Sequence, residues 1–95
     1  MKQSIFNQIK ETKQTLNEQY GITKIAVFGS YARDEENENS DIDIVILEMK
    51  RKNGFLIAKA KLFLSETLNK EVDIGLLDSI RPFIRKRIEK DLMYV

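Results

Sequence analysis

Ile25-Ala26-Val27-Phe28-Gly29-Ser30-Tyr31-Ala32-Arg33, then Ser40-Asp41-Ile42-Asp43-Ile44-Val45-Ile46-Leu47, place two short apolar runs either side of a polar stretch. Ile25 to Phe28 is too short for a helix and long enough for a buried strand. Ile44 to Leu47 is continuous and mostly β-branched, which predicts a second strand over 42–47. Gly29-Ser30 ends the first run, and Tyr31-Ala32-Arg33 reads as a short helix after the turn. Asp34 to Asn39 is acidic and polar, hence a loop.

Outward from this centre the period changes. Ile5, Ile9, Thr12 and Leu16, with Phe6 beside them, recur at helical spacing and predict one helix over Lys2 to Gln19. Gly21 is its expected stop. After the charged turn Lys50 to Gly54, the residues Leu56, Ala60, Phe63, Leu64 and Leu68 share a face and predict a helix over 55–68. Val72 to Leu77 reads as a third strand. Ser79 is placed to cap a last helix over 83–92, with Pro82 at its start and Phe83, Ile84, Ile88 and Leu92 as the core-facing stripe. Strands alternating with helices predict a single α/β domain spanning 1–95, a small mixed sheet flanked by helices.

Composition narrows the chemistry. The chain has 95 residues, 42% hydrophobic and 33% charged, which suits one small folded domain. Its formal charge of +1 gives no strong global pull toward nucleic acid or anionic membrane. With no cysteine there is no disulfide or thiolate metal site, and with no histidine the usual neutral-pH base and zinc ligand are missing. Carboxylates, lysines, hydroxyls or a bound metal must therefore do any catalysis. No apolar run approaches the roughly 20 residues of a membrane span, and the first ten residues lack a signal-peptide core. A soluble cytoplasmic protein is expected.

Asp41 and Asp43 sit two apart at the start of an apolar strand, so they share a face, their backbone positions roughly 6.6 Å apart. Such a pair repels itself, and burial worsens the repulsion. A solvated strand end is the bland explanation of Asp-x-Asp. A divalent cation with oxygen ligands is the chemical one, Mg²⁺ first and Mn²⁺ as a substitute. Asp73, inside the third apolar run, reaches the same face if the two strands are neighbours. Three carboxylates there would suit metal held on a triphosphate. Gly29 lets the backbone turn sharply and approach a ligand, and free N–H groups from Ser30 onward would form an anion site. An ordinary capped turn would look the same. Arg33 is within reach of a phosphate, or of Glu35 or Glu36.

Gly29-Ser30, ten residues, then Asp41-Ile42-Asp43 resembles the signature of the DNA polymerase beta-like nucleotidyltransferase superfamily. Phe28 to Arg33 together with Asn39 to Ile44 is similar to its minimal nucleotidyltransferase (MNT) branch, and the likeness extends over nearly the whole chain. The resemblance implies a nucleotidyltransferase core with Asp41, Asp43 and Asp73 as catalytic residues and metal ligands. It implies Gly29, Ser30, Arg33 and Ser40 as nucleotide-binding residues, Mg²⁺ as cofactor and ATP as substrate. Asp34 stands where many members have glycine. Stand-alone MNT proteins resemble the antitoxin half of modules paired with a HEPN ribonuclease toxin. The implied reaction moves AMP from ATP onto a toxin tyrosine, within a hetero-oligomer.

Two other functions fit the same residues. One is an antitoxin that neutralises by docking alone, its metal site vestigial. The other is a transferase acting on RNA or a small molecule. The 95 residues leave no room for a separate acceptor domain, so the acceptor is expected to be held by a small surface or to belong to a docked partner. The last segment, with Arg81, Arg85, Lys86, Arg87 and Lys90, is either a solvated face or a partner-facing one.

Overall fold

Gly21 stops the N-terminal helical region as expected. Its φ of +69° is left-handed, and its N–H closes on Asn17 O at 3.1 Å. The computed structural model describes residues 3–95, so Lys2, the first residue of the expected helix, lies outside the described residues. From Gln3 the structure has two helices rather than one, α1 (Gln3–Glu11) and α2 (Lys13–Tyr20). Thr12 causes the break. Its N–H and its hydroxyl both donate to Ile9 O, at 3.0 and 2.6 Å. That carbonyl would otherwise serve the next turn of a continuous helix. Thr12 is also buried, so its hydroxyl has no water to turn to.

The strands are β1 (Ile22–Phe28), β2 (Ile42–Met49), β3 (Val72–Leu76) and β4 (Met93–Tyr94), in the spatial order β3-β2-β1-β4. β1 runs antiparallel to β2 and β4, whereas β2 and β3 are parallel. The sheet is therefore mixed, and the parallel pair is joined by the crossover helix α3 (Gly54–Leu68). Asn53 caps α3 by accepting from Phe55 N–H at 2.9 Å and Leu56 N–H at 3.3 Å. Asn53→Ala is expected to cost about 1 kcal/mol, read as a lower midpoint in urea with an unchanged slope.

The core lies between the sheet and the first three helices. Ile25 and Val27 of β1, Ile42, Ile44 and Ile46 of β2, and Val72 of β3 pack there against Ile9, Leu16, Ala60 and Leu64. Strand alternation then sends Asp43 and Asp73 to the other face.

Three expectations at the C-terminal end are corrected. Val72 to Leu77 ends as a strand at Leu76, and Leu77–Ser79 form a 3-10 turn. Ser79 therefore does not cap the last helix. That helix, α4, spans Pro82–Glu89, with Arg81 at the cap position and proline at its start. Its expected core-facing stripe does not enter the core: no residue of α4 is buried, Phe83 is 61% exposed and Ile84 38%. Beyond the expected helix, Met93–Tyr94 pair with β1, Tyr94 opposite Ala26.

Candidate active site

β2 and β3 set the first element of the site through their register. Asp43 stands directly opposite Asp73, flanked by the pairs Ile42–Val72 and Ile44–Ile74. On its other side Asp43 is opposite Phe28, the last residue of β1. Asp41 lies one residue before β2, exposed, and the strand begins with Ile42 N–H donating to Glu71 O at 3.0 Å. The chain thus brings all three predicted aspartates to one end of the sheet.

Electrostatics records their proximity. Asp43 is half-buried, and its pKa is raised above the ordinary 3.8. Burial is the main cause, followed by the charges of Asp73 and then Asp41, while the Arg33 guanidinium acts the opposite way. The side chains do not form a closed set of ligands. Among the described residues no group of three or more His, Cys, Asp or Glu is positioned to hold a metal ion. Asp73 is turned toward Lys61, with Oδ1 4.0 Å from Nζ, and both side chains are largely exposed. The donor chemistry nonetheless suits a hard cation, and Mg²⁺ commonly takes only one or two carboxylates and completes its shell with phosphates and water. Asp43 with Asp41 is such a pair.

Gly29 fits against this carboxylate. Its φ is +76°, and a Cβ at this position would overlap Asp43 Oδ2 and lie 3.2 Å from Cγ. Glycine is required here twice over, by backbone conformation and by the approach of the aspartate. The short helix expected after it is instead a hydrogen-bonded turn. Arg33 N–H donates to Gly29 O at 3.1 Å, and Glu35 N–H to Ser30 O at 2.8 Å. Asp34 then takes φ +57°, the left-handed conformation that favours glycine. Tyr31 anchors the turn, only 2% exposed within the core cluster. The N–H groups of Ser30, Tyr31 and Ala32 donate to no described residue.

The remaining predicted residues are placed as follows. Arg33 is held by Asp91, Nη1 to Oδ2 at 3.3 Å, and by Glu35, Nε to Oε2 at 3.4 Å. Ser40 Oγ accepts from Asn37 N–H at 2.9 Å and so fixes the loop just before Asp41. Sequence reasoning missed the contribution of α4. A cleft of about 460 Å³ runs between Phe28, Gly29 and Arg33 on one side and Ile84, Arg87, Ile88, Lys90 and Asp91 on the other. A smaller one of about 160 Å³ borders Phe28, Lys61, Asp73 and Ile80. Phe28, opposite Asp43 in the sheet, lines both, and Asp73 lines the smaller. The signal for α4 was its run of cations beside apolar residues, which fits a solvated face equally well.

Residues 9–95 match the nucleotidyltransferase domain family. The chain belongs to that family. A Methanocaldococcus jannaschii protein described as a "putative protein adenylyltransferase" is 39% identical over 88 residues, 92% of this chain and 90% of its own length. A solved structure described as a "putative minimal nucleotidyltransferase" superposes with a TM-score of 0.81 at 27% identity, covering 98% of this chain and 95% of that one. At 22% identity and a TM-score of 0.72, the fold is shared with the MNT antitoxin complexed with a tri-AMPylated HEPN toxin of Shewanella oneidensis. That match covers 99% of this chain and 71% of the other. This minimal nucleotidyltransferase domain thus keeps the family fold across nearly its whole length. No helix among its described residues is long and apolar enough to cross a membrane.

Proposed function

We propose that this domain transfers AMP from ATP to a tyrosine hydroxyl of a HEPN-type toxin, with Mg²⁺, and acts as the antitoxin of the pair. The observation that carries the chemistry is the register of Asp43 opposite Asp73, with Gly29 closed against Asp43. A protein acceptor is what the relatives support: one is described as a "putative protein adenylyltransferase", and a fold neighbour is an antitoxin bound to an AMPylated toxin.

Each residue has a defined part in this reaction. The N–H groups of Ser30, Tyr31 and Ala32 cradle phosphate oxygens, helped by the Ser30 hydroxyl. Asp41 and Asp43 would hold Mg²⁺, which would supply charge neutralisation on the triphosphate and a lower pKa for the acceptor hydroxyl. Asp73, in the smaller cleft, meets the acceptor and accepts the hydroxyl proton on a carboxylate oxygen. The acceptor oxygen then bonds to the α-phosphorus in line, the bond from that phosphorus to the β-phosphate bridging oxygen breaks, and pyrophosphate leaves. Positioning and charge stabilisation supply most of the rate, which is why histidine is dispensable.

Incubation with α-labelled ATP, Mg²⁺ and the HEPN partner is the direct test. Label on a partner tyrosine supports the proposal. Label only on RNA would transfer the assignment to an RNA substrate. Neutralisation that survives loss of the carboxylates would leave docking as the mode of action. Binding alone is checked separately: ATP with Mg²⁺ at about 100 times Kd should stabilise the fold by about 2.7 kcal/mol, a melting rise of roughly 10 °C or more for a domain of this size. No shift at saturation would remove the nucleotide site.

A further inference from the structure

α4 is anomalous as a structural element. It buries nothing, yet one side of it closes the larger cleft. Two cations line that cleft from this side, Arg87 on the helix and Lys90 just after its end, and neither makes an ion pair with any described residue, unlike Arg33 and Arg85, which pair with acids. Ile84 and Ile88 line the same cleft and give it an apolar wall, and Ile84 remains 38% exposed. The opposite wall is the Gly29 turn that abuts Asp43.

From this we infer that α4 is a nucleotide clamp, in which Arg87 and Lys90 bind the triphosphate and Ile84 with Ile88 bind the base and ribose. The inference rests on the nucleotidyl-transfer reading and extends it to a part of the chain outside the motif. Size agrees: about 460 Å³ lies within the roughly 300–1,000 Å³ of small-molecule clefts. Charge agrees as well. The end of the sheet carries Asp41, Asp43 and Asp73, which repel a polyphosphate, and the C-terminal end of α4 adds its own negative dipole end. Asp91 also lines the cleft, but Arg33 neutralises it at 3.3 Å. Arg87 and Lys90 are the cations left to offset these charges from the far wall. A guanidinium can bind two phosphate oxygens at once, and a lysine ammonium adds a compact charge. The apolar wall has no core to join and is covered once a nucleoside lies on it, which accounts for isoleucine at an exposed position.

Calorimetry with two probes, each with Mg²⁺, separates the parts: ATP and inorganic tripolyphosphate. Arg87→Ala combined with Lys90→Ala should weaken both probes at least about tenfold. Ile84→Ser should weaken ATP severalfold and leave tripolyphosphate unchanged. Lys86→Ala, on the same helix but outside the cleft, should leave both as in wild type. Thermal denaturation of the apo-proteins should show all variants folded, since α4 supplies nothing to the core. If the double variant binds ATP within about twofold of wild type while Asp41→Asn with Asp43→Asn does not bind, the clamp is wrong and the carboxylate site stands. If wild type itself fails to bind ATP with Mg²⁺, the site reading falls and takes the clamp with it.

Discussion

Replacing Asp41 and Asp43 together by asparagine is expected to lower AMP transfer at least ~1,000-fold, about 4 kcal/mol of transition-state stabilisation, while the apo-fold stays as stable as wild type or becomes more so. The two halves of this result have one cause. Asp43 is half-buried beside Asp73 and Asp41, so its charged form is disfavoured in the folded state and its pKa is raised. A carboxyl with a raised folded-state pKa favours the fold most when protonated. That contribution is complete below the ordinary value of 3.8 and is lost as pH rises through the folded-state value. At neutral pH the charge therefore works against the fold, and asparagine removes it. The gain is small, because solvent screens a half-exposed group. The variant should also lose the part of the acid pH dependence of unfolding that Asp43 causes. Transfer above a tenth of wild type would show that these carboxylates are not the reaction centre. A large loss of apo stability would show that they are structural instead.

Gly29→Ala is expected to damage both fold and activity. The left-handed conformation at φ +76° costs a residue with Cβ about 1–2 kcal/mol, and the new methyl would displace the Asp43 carboxylate it overlaps. A net loss of about 1–3 kcal/mol follows after allowing for the stiffer unfolded chain, with a melting point lower by roughly 5–20 °C. Transfer should fall at least ~100-fold even at temperatures where the variant is folded, because Asp43 no longer occupies its place. Gly21→Ala is the matched control. Gly21 has nearly the same backbone angle, +69°, but the nearest atom to its added Cβ is Lys50 Cβ at 3.8 Å. It should show the conformational cost with activity retained. Equal activities in the two variants would mean that the closeness of Gly29 and Asp43 has no catalytic consequence.

The sequence was most informative where burial is complete. Ile44-Val45-Ile46 cannot be left in water, so β2 was legible as a strand, and a parity argument from it sent Asp43 and Asp73 to one face. That β2 and β3 be neighbours was the stated condition for a shared face; which residues pair, Asp43 with Asp73, only the register of the folded sheet shows. Legibility failed where one hydrogen bond or one tertiary choice decides. At Thr12 the apolar period runs straight through, and only the competition of a hydroxyl for Ile9 O splits the helix. After Gly29, Ala32 and Arg33 are good helix formers, but the Glu35–Ser30 bond and the left-handed Asp34 close a turn instead. α4 has a helical stripe with no core to face, and amphipathicity cannot say what a stripe will meet. β4 is two residues long, too short to show any period. For the site, the glycine, the serine and three aspartates were legible as chemistry. The cleft wall on α4 was not, because its cations become informative only when their lack of acidic partners is known.

The parallel pairing of β2 with β3 also has a kinetic consequence. Asp43 and Asp73 are adjacent in space but joined through the whole of α3, so no local hairpin can bring them together. Their meeting must wait until the crossover closes, a non-local event that carries its loop entropy before any contact rewards it. The Asp43–Asp73 pair therefore forms with the global folding transition, whereas Gly29 and Asp43 meet through the antiparallel β1–β2 pairing. Recovery of transfer activity during refolding should track the major folding phase, and no fragment lacking either strand should hold the Asp43–Asp73 pair.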